Sequence, residues 1–188
     1  MKIIIIYLFC SITIMFSTNA QDYAKEGNIE MGGSLAFTST TAVTNGKEEG
    51  KPISQMVIYL PLNYFIADGF AIGFITSFEL YVQNESSLTG FTLGGSAGYN
   101  FIGESNLTPY VEGRIFYNSV FQSAGNADVT ATGFGWALLA GIKVQVTENV
   151  LINTGLGYAQ RRFKDSEYEG VSAGSNIISL SSGFLFYF

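Results

Sequence analysis

Gly174-Ser-Asn-Ile-Ile-Ser-Leu-Ser-Ser-Gly-Phe-Leu-Phe-Tyr-Phe188 ends the chain, and this stretch decides how the rest is interpreted. In an extended strand, every second side chain points to the same face. One face then carries Ile178, Leu180 and the three phenylalanines Phe184, Phe186 and Phe188, whereas the other is mostly small. Chain ends of soluble domains are usually exposed and frayed, so this pattern favours a lipid-facing strand. On this stretch alone, a strand buried in a soluble β-sandwich stays open.

The N-terminus is predicted to be an export signal. A single lysine precedes residues 3–16, which are largely apolar. That length fits the hydrophobic region of a secretory signal peptide and is too short for a membrane-spanning helix. Small residues follow, and we place cleavage between Ala20 and Gln21. Residues 1–20 are therefore predicted to be a cleaved signal peptide, and residues 21–188 one outer-membrane β-barrel domain.

The composition is too apolar for a soluble domain of this size. Charged residues make up 13% and aromatic residues 15% of the chain, and the mean hydropathy is +0.27, against about 25% charge in ordinary soluble domains. No stretch after Ala20 approaches the roughly 18 apolar residues of a membrane helix. A membrane β-barrel combines these two properties, because its lipid-facing residues alternate with lumen-facing ones.

The chain also lacks the residues on which several functions depend. It has 15 acidic residues against 9 basic ones, and no histidine. Net acidity argues against nucleic acid as a partner. The absence of histidine excludes a Ser/His/Asp triad and any histidine metal site. The single cysteine, Cys10, lies in the predicted signal peptide, so we expect neither a disulfide nor a cysteine metal site in the remainder.

We therefore expect no enzymatic activity, no cofactor and no metal site. A site of paired carboxylates stays conceivable among acids between the predicted strands, at Glu48, Glu49, Asp128, Asp165, Glu167 and Glu169. A divalent cation could also visit Asp165, Glu167 and Glu169, but their spacing lacks the glycine of an EF-hand loop. Solvated loop charge is the preferred interpretation of all six.

Eight segments of strand character follow one another without a helical period. They lie at about residues 28–39, 53–66, 70–82, 88–101, 108–119, 132–146, 150–163 and 174–188. The predicted fold class is all-β, an eight-stranded antiparallel up-and-down transmembrane β-barrel.

The connections between these segments alternate in length. Longer polar connections are expected at residues 40–51, 83–87, 120–131 and 164–173, and shorter ones at 67–69, 102–107 and 147–149. Outer-membrane barrels alternate long extracellular loops with short periplasmic turns. Both chain ends are then predicted to lie on the periplasmic side.

Two turns and the last strand carry a resemblance to a known family. Asn63-Tyr-Phe-Ile-Ala-Asp-Gly-Phe-Ala-Ile-Gly73 and Gly141-Ile-Lys-Val-Gln-Val-Thr-Glu-Asn-Val-Leu151 resemble the first and third periplasmic turns of small OmpA- and OmpX-like outer-membrane barrels. Phe184, Phe186 and Phe188 resemble the terminal signal that the barrel assembly machinery reads in this family. The resemblance implies the outer membrane of a Gram-negative bacterium. It is nearly silent on function, because related barrels include anchors, adhesins, invasion factors and a few enzymes.

Six charged residues within the strands share the lumen-facing register. They are Glu30, Glu79, Glu112, Arg114, Lys143 and Arg161. A basic side chain turned to the lipid midplane costs roughly 2–4 kcal/mol, so the shared register supports the lipid-facing assignment of the apolar side. Because a buried ion needs a partner, we predict two tiers of charge pairs that cross the lumen. A plug that closes the lumen is preferred over a gated pore or proton path.

The opposite face carries the aromatic residues. Those near the strand ends are expected to form two interfacial girdles: Tyr64, Phe70, Tyr99, Phe101 and Phe188 at the periplasmic rim, and Phe37, Phe78, Phe91, Tyr117, Phe134, Trp136 and Tyr158 in the outer half. Arg162 and Lys164 fall at the outer rim, at the depth of lipopolysaccharide phosphates. A soluble lipocalin-like barrel, with the aromatic face inward, remains the rival architecture.

The function expected from the sequence is a non-enzymatic structural or surface-display barrel with extracellular loops for interaction. Its expected partners are outer-membrane lipid and lipopolysaccharide, the barrel assembly machinery during insertion, and a host or surface partner at the loops. A narrow porin-like passive channel is the alternative. A lipid-modifying barrel enzyme ranks lower because the chain has no histidine.

Overall fold

The computed structural model describes residues 23–83, 86–103, 105–124, 127–164 and 172–188. Its regular elements are eight strands, β1 (Ile29–Thr44), β2 (Lys47–Ala67), β3 (Phe70–Gln83), β4 (Ser86–Asn100), β5 (Leu107–Ala124), β6 (Ala127–Thr147), β7 (Val150–Lys164) and β8 (Ser172–Tyr187). The predicted signal peptide lies outside the described residues. None of the described segments is a helix long and apolar enough to cross a membrane.

Each strand pairs antiparallel with its neighbours in chain order, and β8 pairs with β1 to close the ring. The closing seam runs from Glu30 opposite Tyr187 to Thr44 opposite Ala173. Within the closed ring, every strand thus has two hydrogen-bonded neighbours, and the free edges of an open sheet remain where β2 and β6 extend beyond it. The predicted fold class is confirmed, and the β-sandwich alternative is wrong.

The two faces of the wall follow the predicted alternation. On β3, Phe74 and Phe78 are exposed, whereas Ile75 and Glu79 between and beside them are buried. Large apolar side chains cover the outside, and small or polar ones fill the inside. This distribution is inside out for a soluble protein, because water would meet a continuous apolar surface. The lipocalin-like alternative is therefore excluded.

Two of the predicted long loops are mostly strand. Strands β1 and β2 continue through residues 40–51 to a two-residue turn at Asn45 and Gly46, both with positive φ (51° and 79°). Such a turn matches the twist of a β-hairpin. Likewise, β5 and β6 continue through most of residues 120–131. The predicted strands end where the apolar alternation ends. The strands of the structure are longer, because backbone hydrogen bonding between neighbours does not need apolar side chains beyond the membrane.

The hairpin of β1 and β2 contains an irregularity just above the rim. Thr40 lies opposite Ile53 and Ala42 opposite Glu49, so three residues of β2 face one of β1. The inserted residues include Gly50, with a φ of 77°, and Pro52, which has no backbone N–H. Bulges and proline are frequent at exposed strand edges. The sequence of β2 therefore bends this hairpin where it leaves the wall.

Above the rim, the outer ends of β2 and β6 each pair with one neighbour only. Pairing between β2 and β3 begins only at Met56 and Leu80, so residues 47–55 pair with β1 alone. Pairing between β6 and β7 begins at Thr132 and Lys164, so residues 127–131 pair with β5 alone. Strand β7 still joins β8 to β6 up to Lys164, which lies opposite both Ser172 and Thr132. Between β1 and β2 and between β5 and β6, extended hairpins rather than long irregular loops thus face the exterior.

Candidate functional site

Side chains fill the described interior of the barrel in layers. At the periplasmic mouth, residues 23–28 turn back under the barrel before β1 begins. Tyr23 is only 1% exposed and packs in a cluster with Ala24, Phe65, Ala71, Leu151, Leu185 and Tyr187. Its ring centroid lies 6.2 Å from that of Phe65 and 5.7 Å from that of Tyr187. An apolar layer therefore seals this end of the lumen.

The first charge pair lies directly above this layer. The Lys143 ammonium donates to both carboxylate oxygens of Glu30, at 2.6 and 2.9 Å. Asn63 donates a further hydrogen bond to Glu30 at 2.9 Å. The Lys143 nitrogen also lies 5.2 Å from the ring centroid of Tyr110 and 5.8 Å from that of Tyr23. Side chains from β1, β2, β5 and β6 thus form one cluster in which the charges of Glu30 and Lys143 cancel and the Glu30 carboxylate is hydrogen-bonded.

A second pair lies along one strand rather than across the lumen. Arg114 donates from Nε to Glu112 at 2.5 Å, and these residues are two apart on β5. The guanidinium carbon of Arg114 lies 5.3 Å from the ring centroid of Tyr59 on β2. The expectation of lumen-crossing pairs does not hold here, because side chains two apart on a strand share one face and meet directly.

An apolar collar separates the inner charges from the outer pair. It consists of Ile75, Phe116, Ala137 and Leu139, with Ala159 packed against it. Gly135 makes room for it, because a Cβ there would approach the Phe116 ring to 2.5 Å. The lumen-facing alternation of β3, β5, β6 and β7 supplies all of these residues, so the collar follows from the register of those strands.

The third pair crosses the outer half of the lumen. Arg161 on β7 makes two hydrogen bonds to the carboxylate of Glu79 on β3, one of them at 2.8 Å. Both residues are almost fully buried, and Gln55 donates to Glu79 at 3.3 Å. In a ring of eight strands β3 and β7 are diametrically opposite, so this pair spans the full width of the barrel.

The space that remains inside is small. A cavity of about 20 Å³ lies between Arg114, Phe116 and Arg161. A second cavity of about 10 Å³ lies between Asn63, Asn100 and Lys143. A water molecule needs roughly 10–15 Å³ of such volume, so each cavity holds about one. The described lumen is a packed interior rather than an open channel.

The structure places all six predicted lumen charges inside the barrel, in three pairs. Sequence patterning missed Tyr23, which plugs the periplasmic mouth, and the polar residues Asn63 and Gln55 that complete the pairs. Tyr23 belongs to no alternating segment, so only its contacts in the folded barrel reveal it. Burial raises its pKa, and the nearby Glu30 carboxylate adds to the shift.

The outer surface carries both predicted aromatic girdles. All twelve aromatic residues assigned to them are exposed. Ring pairs form within them, between Phe78 and Phe91, Tyr99 and Phe101, Tyr117 and Phe134, and Trp136 and Tyr158. Aromatic girdles mark the two interfaces of a transmembrane barrel, so the apolar belt between them is the part that crosses the membrane.

One described basic side chain stands among the outer aromatics. Arg162 is exposed on the lipid-facing side and donates to the backbone oxygen of Arg161 at 3.0 Å. It lies over Gly174 of β8, where a Cβ would come within 2.9 Å of the guanidinium. Of the described carboxylates, none forms an ion pair with it. The side chain of Lys164 lies outside the described part.

The described residues hold no group of three carboxylates, cysteines or histidines that could bind a metal ion. Asp165, Glu167 and Glu169, the acids considered for a cation, lie outside the described residues, and the side chain of Asp128 does as well. Glu48 accepts a hydrogen bond from Asn176 at 2.7 Å, which joins the tip of β2 to the outer end of β8.

Comparison with known proteins identifies the family. The model of the family described as Opacity family porin protein matches residues 64–178, more than half of the chain. The chain belongs to the Opacity porin family. The match extends from the end of β2 into β8, and therefore includes most of the barrel wall.

Solved structures show the same fold for this Opacity-family chain. Neisserial surface protein A superposes with a TM-score of 0.60 at 19% identity, covering 83% of this chain and 98% of that one. OprG from Pseudomonas aeruginosa gives 0.58 at 16% identity, covering 88% and 98%. The N-terminal barrel of OprF from the same organism gives 0.54 at 15% identity, covering 87% and 98%. No curated protein sequence matches the chain.

Family and fold together settle the location. The Opacity family and the structural neighbours are outer-membrane β-barrels of Gram-negative bacteria. The chain is accordingly an outer-membrane protein of a Gram-negative bacterium, as the sequence predicted. The resemblance to small eight-stranded outer-membrane barrels is confirmed by the same findings.

Proposed function

We propose that this protein is a non-enzymatic outer-membrane barrel with a closed lumen, whose rigid wall presents extracellular hairpins for contact with a host or another surface. The observation that carries the proposal is the filled interior, in which Glu79 and Arg161 close the outer half and Tyr23 closes the periplasmic mouth. A packed interior leaves the extracellular hairpins as the surface for interaction, and binding residues are often held on segments positioned by a rigid scaffold.

Conductance in a planar lipid bilayer separates this function from the porin-like alternative. The purified protein is expected to give no steady single-channel current at neutral pH, because two buried ion pairs and an apolar collar block the passage. The double variant Glu79→Ala with Arg161→Ala widens only the outer half and is expected to stay non-conducting, because the apolar collar and the Tyr23 layer remain. Steady current from the parent protein would support the passive channel instead.

The extracellular position of the hairpins can be tested on intact cells. A peptide epitope inserted between Asn45 and Gly46, in the turn joining β1 and β2, is expected to bind an antibody added from outside. The same epitope inserted between Glu148 and Asn149, in the turn joining β6 and β7, should stay unlabelled until the outer membrane is opened. The reverse pattern would refute the proposed display surface.

A lipid phosphate of the outer leaflet is the partner that we propose for Arg162. A guanidinium binds phosphate through several donors, and this one lies beside the aromatic girdle with no described carboxylate partner. Its position over Gly174 and opposite Phe134 of the outer girdle supports this proposal.

Titration with lipopolysaccharide in detergent micelles tests this contact. Lipopolysaccharide is expected to raise the unfolding temperature of the parent protein more than that of the Arg162→Gln variant. Lys51→Gln, which removes an exposed charge above the rim, should behave as the parent does. With dephosphorylated lipid A, the unfolding temperatures of the parent and of Arg162→Gln should rise equally. An equal rise of both proteins with intact lipopolysaccharide would contradict the contact.

A further inference from the structure

We propose that the cavity of about 20 Å³ in the lumen binds one small inorganic anion of the halide class. Arg114, Arg161 and Ser77 all line this cavity. The inference goes beyond the proposed display role and does not rest on it.

Residues that carry hydroxyl groups form a row along one side of the cavity. Tyr59 on β2 lies opposite Ser77 on β3, and Ser77 lies opposite Thr92 on β4. All three line the cavity, as does Ser179 on β8. The register of neighbouring strands thus places three hydroxyl-bearing residues side by side at one depth of the lumen.

Two arginines line the cavity from other strands. Arg114 comes from β5 and Arg161 from β7. Among the described residues of the lining, neither of their carboxylate partners, Glu112 and Glu79, is included. A guanidinium has five N–H donors and no acceptor. The described hydrogen bond of Arg114 to its carboxylate partner uses Nε, which leaves the terminal nitrogens of Arg114 for a ligand.

Two of the donors that belong to lining residues are buried and unpaired. Among the described residues, the Oγ atom of Ser77 and the Nε atom of Arg161 have no hydrogen-bond partner. Ser77 is 1% exposed and Arg161 is 5% exposed. A buried donor that makes no hydrogen bond is costly. These two atoms therefore indicate that a ligand completes the site.

The size and chemistry of the cavity select a halide. A water molecule needs roughly 10–15 Å³ of such volume, so this cavity has room for one monatomic ion and not for phosphate or sulfate. A cation would meet two guanidiniums, and a water molecule would need acceptors for its own two protons. A halide accepts hydrogen bonds from all of these donors, and both positive charges attract it. Ile75 and Phe116 of the collar also line the cavity and keep bulk water from screening this attraction.

Diffraction from crystals of the unaltered protein grown in sodium bromide tests the site directly, because bromide gives an anomalous signal that water does not. We expect a bromide peak within hydrogen-bond distance of Ser77 and of at least one of the two arginines. A cavity that holds only water, or that is empty, would overturn the proposal. Bromide on the outer surface alone would be an adventitious ion only and would overturn it as well.

Thermal unfolding in detergent micelles measures the binding in solution. Sodium bromide replaces sodium gluconate at constant ionic strength, so that only the anion changes. A ligand that binds only the folded state stabilises it once its concentration exceeds the dissociation constant. The unfolding temperature is therefore expected to rise with the logarithm of the bromide concentration above an onset. An unfolding temperature that does not respond to bromide would contradict the site.

Charge-matched variants assign this response to Arg114. Glu112→Gln with Arg114→Gln removes both charges together, and should move the onset to bromide concentrations at least about tenfold higher, because it removes hydrogen bonds to an ion. Glu112→Gln alone keeps the arginine, so its onset should not rise. Lys51→Gln, which removes an exposed charge above the rim, should match the parent. The same onset in the double variant and the parent would overturn the proposal.

Each variant must first be shown to be a closed barrel by a shift in gel mobility between unboiled and boiled samples. The diffraction measurement uses the unaltered protein and stands even if the double variant does not fold. Conductance of the parent protein reports on the closed lumen and bromide reports on this cavity, so the two tests fail separately.

Discussion

At the scale of single residues, the interior is organised by pairs that neutralise one another. Glu30 and Lys143 meet across the inner lumen, and Glu79 and Arg161 meet across the outer lumen. Removing a charge from bulk water is tolerated when the partner and further hydrogen bonds are supplied. Asn63 and Gln55 supply those additional bonds here, so each pair depends on a third strand.

Breaking the outer pair should destabilise the barrel. Glu79→Gln leaves the Arg161 guanidinium buried without its counter-ion, and loss of one partner of a buried pair costs about 3–5 kcal/mol. Urea unfolding in lipid vesicles, followed by tryptophan fluorescence, measures the change. Replacing both residues by apolar ones, as Glu79→Leu with Arg161→Met, should recover most of the stability. A Glu79→Gln variant as stable as the parent would show that the pair is dispensable.

Tyr23 should make the protein sensitive to alkaline pH. Burial raises its pKa above the ordinary phenol value of about 10. The charged or titratable groups facing it are Glu30, Tyr110, Lys143 and Tyr187. A folded-state pKa above the unfolded value gives stability that is complete below about pH 10 and is lost as pH rises through the folded value.

Comparison with Tyr23→Phe isolates this contribution, because phenylalanine has no proton to lose. The urea midpoint of the parent should fall further than that of Tyr23→Phe between pH 8 and pH 11. Parallel decreases in both proteins would assign the alkaline sensitivity to other tyrosines.

At the scale of elements, β8 combines the closing seam with the phenylalanine-rich end. Phe184, Phe186 and Phe188 all face outward and are exposed on the lipid side. None contributes to the interior, so their regular spacing is not explained by lumen packing. This arrangement leaves the three rings available to the assembly machinery before the barrel closes, which is the role we propose for them.

Loss of these rings should therefore impair assembly more than stability. Changing Phe184, Phe186 and Phe188 together to alanine is expected to reduce the amount of folded protein in outer membranes to a minor fraction of the parent level. Protein refolded from denaturant into detergent should still form a closed barrel. Phe91→Ala, which removes an exposed ring from β4, is the control and should assemble normally. Unchanged assembly of the triple variant would remove the proposed signal.

At the scale of the whole molecule, closure of the ring controls behaviour in detergent. All eight strands have two paired neighbours in the membrane-crossing part, so unfolding cannot begin at a free edge. The protein taken from outer membranes should resist unheated SDS and change its gel mobility after boiling. Identical migration of both samples, with the protein in the soluble periplasmic fraction, would contradict the transmembrane barrel.

The sequence by itself determined the fold class, the number of strands and the face that each strand turns to lipid. Alternation with a period of two is a local property, and a lipid environment makes it strict because a misplaced charge is costly. The same alternation placed Glu30, Glu79, Glu112, Arg114, Lys143 and Arg161 in the lumen. The alternation of apolar residues underestimated the length of the outer hairpins, although Asn45-Gly46 is a typical sequence for a two-residue hairpin turn.

The tertiary structure alone decided which groups meet. The ion pair of Glu79 and Arg161 joins β3 to β7, and that of Glu30 and Lys143 joins β1 to β6. Both depend on the closure and stagger of the ring, which local patterns do not encode. For the same reason Glu112 met its neighbour Arg114 on β5 rather than a charge across the lumen. Tyr23 became a plug only because the chain turns under the barrel before β1, and contacts between residues so distant in sequence arise from the fold.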